Sequence, residues 1–285
     1  IVGQLRLDYT DETITNAMKL EKKSFSDAWH GKFGTDEYEF VKSKDVDHMM
    51  DLDMEDGSTH KVTGADVYNL VFNSGQPWNI SANGTIFKTD FQGIVPGLLE
   101  RWYAERKEMQ GKLQQAIEAD NKVEQEFWDK RQLVKKINLN SLYGALLNPG
   151  CRFFDSRLGQ STTLTGRVIT KHMGAKVNEI ITGVYDHKGQ SVIYGDTDSV
   201  YFSAYKSLEE DIKSGKLPWT KDSVISLYDR IGDEVNTSFP DFAHKAFHTP
   251  RKKGDIIRAG REAAKAKARQ FRKSLALDDD DMGKR

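Results

Sequence analysis

The sequence predicts an α+β fold in which an antiparallel sheet with packed helices is joined to a pair of long antiparallel helices. Three observations predict it. Residues 1 to 92 mix short strand-like pieces with turns, a pattern of hairpins rather than long helices. Apolar residues then recur at helical spacing from Val95 to Trp128, with one interruption. Further on, Ser191-Val192-Ile193 and Val200-Tyr201-Phe202 flank the polar core Tyr194-Gly195-Asp196-Thr197-Asp198-Ser199, which reads as strand, tight turn, strand.

The elements follow in chain order. Asp51-Leu52-Asp53-Met54-Glu55-Asp56-Gly57 has the acidic rhythm of a calcium loop but lacks Gly at the sixth place and Glu at the twelfth. It reads as an acidic surface loop. Ser81-Ala82-Asn83-Gly84-Thr85 contains Asn-Gly, a hairpin signal. Pro96 sits where a helix can begin, and Val95, Leu98, Leu99 and Trp102 fall at i, i+3, i+4 and i+7 of a buried stripe. Glu118-Ala119-Asp120-Asn121 breaks that stripe before Phe127-Trp128 resumes it, so two antiparallel helices joined by a short tip are expected. The second helix runs through Lys135 to Ala145 and stops near Asn148-Pro149-Gly150. A long helix is expected around Thr162 to Ile181. Another is expected through Val224, Ile225, Leu227, Tyr228, Ile231 and Val235.

Composition narrows the class. With 38% hydrophobic and 30% charged residues over 285 positions, the chain is a well-solvated globular protein long enough for two domains. No apolar run approaches membrane-spanning length and no signal peptide is visible. The single cysteine, Cys151, excludes an internal disulfide and a cysteine zinc cluster. His244 and His248 have i, i+4 spacing, but no Glu follows His244 and no third ligand is evident, which argues against zinc. The net charge of −1 hides a segregation. From Arg251 to Lys273 the bases Arg251, Lys252, Lys253, Arg258, Arg261, Lys265, Lys267, Arg269, Arg272 and Lys273 face only Asp255 and Glu262. Such a cluster suits a nucleic-acid backbone, although a solvated basic helix has the same composition. Asp278 to Asp281 form an acidic end.

Two segments carry candidate chemistry. Asp196 and Asp198 sit at the tip of the expected hairpin, and two residues apart on extended backbone they point to the same side. Paired carboxylates suit hard divalent cations such as Mg²⁺; a plain polar turn uses the same residues. In Lys135-Lys136-Ile137-Asn138-Leu139-Asn140-Ser141-Leu142-Tyr143-Gly144, Lys136, Asn140 and Tyr143 fall at i, i+4 and i+7 and share a helix face. That face offers a cation, an amide and a phenol; a solvated polar face with a half-buried Tyr is the alternative.

Together, Lys-x-x-x-Asn-Ser-Leu-Tyr-Gly and Tyr-Gly-Asp-Thr-Asp-Ser resemble motifs B and C of the family B (alpha-like) DNA polymerases, those of large tailed phages in particular. Gly93-Ile94-Val95-Pro96 with Glu105-Arg106-Lys107-Glu108 resembles the entry into that family's fingers. Arg152-Phe153-Phe154-Asp155 resembles the return to its palm, and Ile256-Ile257-Arg258-Ala259-Gly260-Arg261-Glu262 resembles a late palm segment. The resemblance is strongest over residues 90 to 204. It implies a palm with a two-helix fingers domain: residues 1–92 as a first palm segment, 93–148 as the fingers and 149–285 as a second palm segment. Motif A, Asp-x-x-Ser-Leu-Tyr-Pro-Ser, has no match in residues 1 to 92. Asp222-Ser-Val-Ile-Ser-Leu-Tyr228 follows motif C, has one residue too many and lacks the Pro. A C-terminal polymerase piece cut downstream of motif A is therefore expected.

The resemblance implies template-directed nucleotidyl transfer from a deoxynucleoside triphosphate to a primer 3′-hydroxyl. Two Mg²⁺ ions, with Mn²⁺ as substitute, would activate the hydroxyl and neutralise the triphosphate and pyrophosphate. It assigns Asp198 as the shared metal-binding carboxylate and Asp196 as a nearby one. Arg106 and Lys136 take the triphosphate, with Lys136 also a proton donor to pyrophosphate. Asn140 and Tyr143 line the nascent base pair. The family's second fingers lysine is replaced by Gln110; Lys112 lies close by. Arg258, Arg261, Lys265, Lys267, Arg272 and Lys273 would grip DNA, although the family's Lys-Lys-Arg-Tyr is Arg272-Lys273-Ser274-Leu275 here. The implied partners are primer–template DNA, dNTPs and an N-terminal polypeptide supplying motif A, which can also carry an exonuclease; no membrane is implied. The implied compartment is the cytoplasm, that of a bacterial host for a phage protein. The alternative is a non-catalytic module that binds nucleotide or duplex.

Overall fold

A computed structural model describes residues 1–6 and 49–260. The chain divides into two units, residues 1–170 with 245–249, and residues 171–244 with 250–285. Both combine helices with antiparallel strands.

The first unit begins with a five-stranded antiparallel sheet. Its strands are β1 (Gly3–Arg6), β2 (Met49–Met54), β3 (Thr59–Thr63), β4 (Trp78–Ile80) and β5 (Thr85–Lys88), in the order β3-β2-β1-β5-β4. Here the acidic segment departs from its expected loop. Asp51 and Asp53 lie within β2, where Met50 and Leu52 are buried and the aspartates alternate to the outer face. Asp51 stands in register between Arg6 and Lys61. Lys61 Nζ reaches its carboxylate at 2.6 Å, and Arg6 pairs with Asp53 at 2.5 Å. The acids therefore answer cross-strand cations. The period-2 alternation of Met50, Leu52 and Met54 was the signal for a strand.

One sheet face closes on Val2, Leu5, Met50, Leu52, Ile80 and Ile86, together with Val67 of the short helix α1 (Gly64–Tyr68) and Val71 beyond it. Each such buried aliphatic side chain contributes about 1.5–3 kcal/mol. Helix α1 starts with a capping box between Thr63 and Asp66. The β4–β5 connection turns at Asn83-Gly84. Gly84 takes φ 78°, and its N–H donates to Ser81 O, a left-handed position that glycine fills without a Cβ clash. Asn83 is buried and ties this turn to the helix α4 (Ser156–Thr182), accepting from Ser161 Oγ at 2.9 Å and donating to Arg157 O.

Two 25-residue helices, α2 (Ile94–Glu118) and α3 (Lys122–Leu146), follow the sheet. Ala119, Asp120 and Asn121 make the tip, with Asp120 at φ 48° and the Asn121 side chain capping α3 through Glu124 N. Cross-helix contacts pair Glu105 with Lys135, Lys112 with Trp128, and Ala116 with Gln125. As one number rises the other falls, which fixes an antiparallel register. Asp155 then caps α4. Its carboxylate accepts from Arg157 N and pairs with the Arg157 guanidinium, which holds its pKa below the ordinary value.

The second unit contains the rest of α4, the hairpin β6 (Val192–Asp196) and β7 (Ser199–Phe202), the short helix α5 (Glu209–Lys213), most of α6 (Lys221–Phe247), and α7 (Arg251–Gly254). Its core gathers Ala175, Val177, Ala204, Ile231, Val235, Phe239 and Phe242. The Asp222 lookalike thus lies in the first turn of an amphipathic helix. His248 accordingly belongs to no helix: it takes φ 56° after α6, and its Nδ1 is hydrogen-bonded to Trp78 O at 2.7 Å. Among the described residues no helix is long and apolar enough to cross a membrane.

Candidate active-site elements

The helix face read from the sequence exists: Lys136, Asn140 and Tyr143 all lie within α3, so i, i+4 and i+7 stack along one side. Lys136 and Asn140 are exposed and Tyr143 is half-buried. The structure separates the two adjacent lysines. Lys135 pairs with Glu105 across the hairpin and lies over the Trp102 ring. That hydrogen bond and charge hold the Glu105 carboxyl below its ordinary pKa. Lys136, one residue on and about 100° around the helix, makes no ion pair among the described residues and stays available to an anion.

Arg106 lies on α2 and is half-buried. Its Nε–H donates to Gln132 Oε1 at 3.3 Å, and Gln132 Nε2 in turn donates to Asp129 Oδ1 at 3.0 Å. Gln132 escaped the sequence reading, because pairing across the hairpin depends on a tip length that spacing along one helix does not reveal. Lys112, near the Gln110 position, pairs with Glu108 at 2.7 Å and sits over Trp128.

Asp196 and Asp198 belong to the second unit, at the exposed tip of the β6–β7 hairpin. Asp196 pairs with Ser199 in the ladder, leaving Thr197 and Asp198 as a two-residue turn. Thr197 takes φ 42°, uncommon for a β-branched residue. The backbone between the aspartates is therefore not extended, so strand alternation does not govern which side each carboxylate takes. The turn conformation does. Thr197 Oγ1 donates to Asp196 Oδ1 at 3.0 Å and Ser199 Oγ to Asp198 Oδ1 at 3.3 Å. Tyr194 and Tyr201 pair across the strands with centroids 5.9 Å apart.

An all-oxygen donor set of two solvated carboxylates fits a hard divalent cation as part of its shell. Among the described residues no group of three or more acidic, His or Cys side chains gathers at one point. Arg258 is described, with its Nε donating to Asp255 O at 3.3 Å. Arg261, Lys265, Lys267, Arg272 and Lys273 lie outside the described residues.

These two elements lie inside the matching region of a known family. The model of DNA polymerase family B matches residues 52–217, more than half of the 285. The DNA-directed DNA polymerase of Escherichia phage RB69 is 40% identical over 80 residues, 28% of this chain and 9% of that protein. The DNA polymerase delta catalytic subunit of Oryza sativa subsp. japonica is 35% identical over 136 residues, 46% of this chain and 12% of the relative. DNA polymerase II of Escherichia coli K12 is 40% identical over 83 residues, 28% of this chain and 10% of the relative. The chain thus spans about a tenth of the length of these curated relatives. The match over residues 52–217 takes in both the helix bearing Lys136 and the hairpin bearing Asp198: the chain belongs to DNA polymerase family B.

Proposed function

We propose that this chain supplies the motif B and motif C elements of template-directed DNA synthesis, in which a dNTP is joined to a primer 3′-hydroxyl. The observation that carries the reading is the hairpin tip, where Asp196 and Asp198 stand solvent-exposed within the family match. Asp198, with Asp196 beside it, holds divalent metal. Bound there, Mg²⁺ or Mn²⁺ supplies charge neutralisation for the triphosphate and a lowered pKa for the attacking hydroxyl. Lys136 and Arg106 position the triphosphate. Asn140 and Tyr143 contact the nascent base pair. The family's palm is assigned to the sheet and hairpin, and its fingers to α2 and α3. We assign contact with the duplex backbone to Arg258, Arg261, Lys265, Lys267, Arg272 and Lys273 on their charge alone.

The pattern Asp-x-x-Ser-Leu-Tyr-Pro-Ser does not occur in the sequence, and we assign the motif A carboxylate to polypeptide supplied alongside it. The phage relatives make the cytoplasm of a bacterial host the proposed compartment.

Mn²⁺ titration of the chain, with and without a deoxynucleotide, tests the metal assignment. Binding is expected to tighten when phosphate oxygens join the shell and to be lost in Asp198→Ala. Indistinguishable curves for the two proteins overturn it. Primer extension in Mg²⁺ with an added polypeptide carrying motif A is expected for the wild type and abolished by Asp198→Asn. A folded but inactive wild-type mixture favours the nucleotide- or duplex-binding module instead.

A further inference from the structure

We infer that Asn178 and Tyr228 are positioning residues that set where the motif C hairpin stands. The inference rests on the proposed role of Asp198. Both residues lie in the same unit as the hairpin, and neither belongs to the motifs that carry the chemistry.

Asn178 projects from α4 and is 2% exposed. It holds both ends of the connection from α4 to β6. Its Nδ2 donates to Val184 O at 2.8 Å where the connection begins, and its Oδ1 accepts from Ser191 N at 3.1 Å where the connection ends. Between those points Gly189 passes so close that a Cβ there would stand 2.1 Å from Asn178 Nδ2. Only a residue without a side chain allows the loop to close over the amide. Ser191, itself 1% exposed, has its other backbone group engaged as well. Its carbonyl accepts from Ser203 N at 2.9 Å, the bond that closes the base of the hairpin. A buried amide on a helix therefore fixes the residue from which β6 departs.

Tyr228 fixes the other foot. Its ring stacks on Phe202, the last residue of β7, with centroids 4.9 Å apart and planes 14° from parallel. Its hydroxyl accepts from Ala204 N at 3.2 Å, and Ala204 is fully buried. The hairpin tip is exposed, so the tip carboxylates inherit their position from these two feet. A strand whose start is free can slip by one residue, which sends every side chain to the opposite face. The feet remove that freedom, and the bulge between Val192 and Tyr194 sets the final register.

The test uses Tyr228→Phe, which removes the hydroxyl and keeps the ring, alongside Asn178→Ala. Amide exchange and Mn²⁺ binding in the presence of a deoxynucleotide are measured on the whole chain, with Asp198→Ala as the control for the metal reading. Exchange of residues 192–204 is expected to accelerate about fivefold or more in each variant, the worth of one lost hydrogen bond. Amides of Ile231 to Phe242 should keep their protection. Mn²⁺ affinity is expected to fall severalfold in both variants. Acceleration spread evenly over the unit, or unchanged Mn²⁺ affinity in the variants where Asp198→Ala does weaken it, overturns the inference. If Asp198→Ala leaves the Mn²⁺ curve unaltered, the metal reading fails, and local exchange still decides whether the feet hold the hairpin. Should Asn178→Ala not fold, Tyr228→Phe decides.

Discussion

The His172 ring lies face to face on Phe242, centroids 3.9 Å apart and planes 4° from parallel. Its two nitrogens are engaged by Tyr185 OH at 2.7 Å and Ser238 Oγ at 2.9 Å, and its exposure is 4%. Both partners are neutral hydroxyls, and neither brings a negative charge to a positive ring. Burial, with the nearby Lys176 cation adding to it, pushes the imidazole pKa down to about 3.

The first prediction follows from that depression. The unfolded chain takes up a proton on His172 near pH 6.5, the folded chain only near 3. Above pH 6.5 the group is neutral in both states and stability does not depend on it. As pH falls from 6.5 toward 3, the unfolded state gains, and stability falls by about 1.4 kcal/mol per pH unit. Urea denaturation of wild type and His172→Gln between pH 7.5 and 4.5 measures this. The variant is expected to lose the part of the slope due to His172; equal slopes would remove the residue from the acid response.

The second prediction separates Lys136 from Lys135. Lys136→Ala is expected to weaken nucleotide use by about 1.5–3 kcal/mol, the loss of a charge-assisted contact, with little change in duplex binding. Lys135→Ala breaks the pair with Glu105 and is expected to lower thermal stability. Nucleotide KM, duplex Kd and Tm for each variant, in the enzyme completed with motif A, check both statements. Equal losses in KM and Kd for Lys136→Ala would mark it as a general phosphate contact.

The third prediction concerns Thr197, held at φ 42°. A left-handed conformation costs an ordinary residue roughly 1–2 kcal/mol, and Asn tolerates it better because its short side chain bonds locally. Thr197→Asn is therefore expected to slow amide exchange in the hairpin. The same change removes the Thr197 hydroxyl bond to Asp196, so Mn²⁺ affinity is expected to drop although the turn is firmer. Faster exchange in the variant would show that the threonine is not strained.

The sequence by itself determined which segments become helix or strand wherever local periodicity was strong. Lys136, Asn140 and Tyr143 share a face because 3.6 residues make a turn, and the tip at Ala119 to Asn121 follows from a break in an apolar stripe. Tyr-Gly-Asp-Thr-Asp-Ser was legible as a hairpin because apolar runs flank a short polar core. Tertiary structure alone decided what depends on residues distant in the chain. Asp51 is held in a strand with Arg6 and Lys61 opposite it in register, and Asp53 with Gln4 and Thr59 opposite it and Arg6 paired diagonally. Lys135 rather than Lys136 was committed to Glu105 once the antiparallel register of α2 and α3 was set. Asn178 and Tyr228 acquired their hold on the hairpin feet only when the second-unit portions of α4 and α6 packed together. Periodicity reports which way a side chain faces along its own element; which partner it meets there is settled by packing.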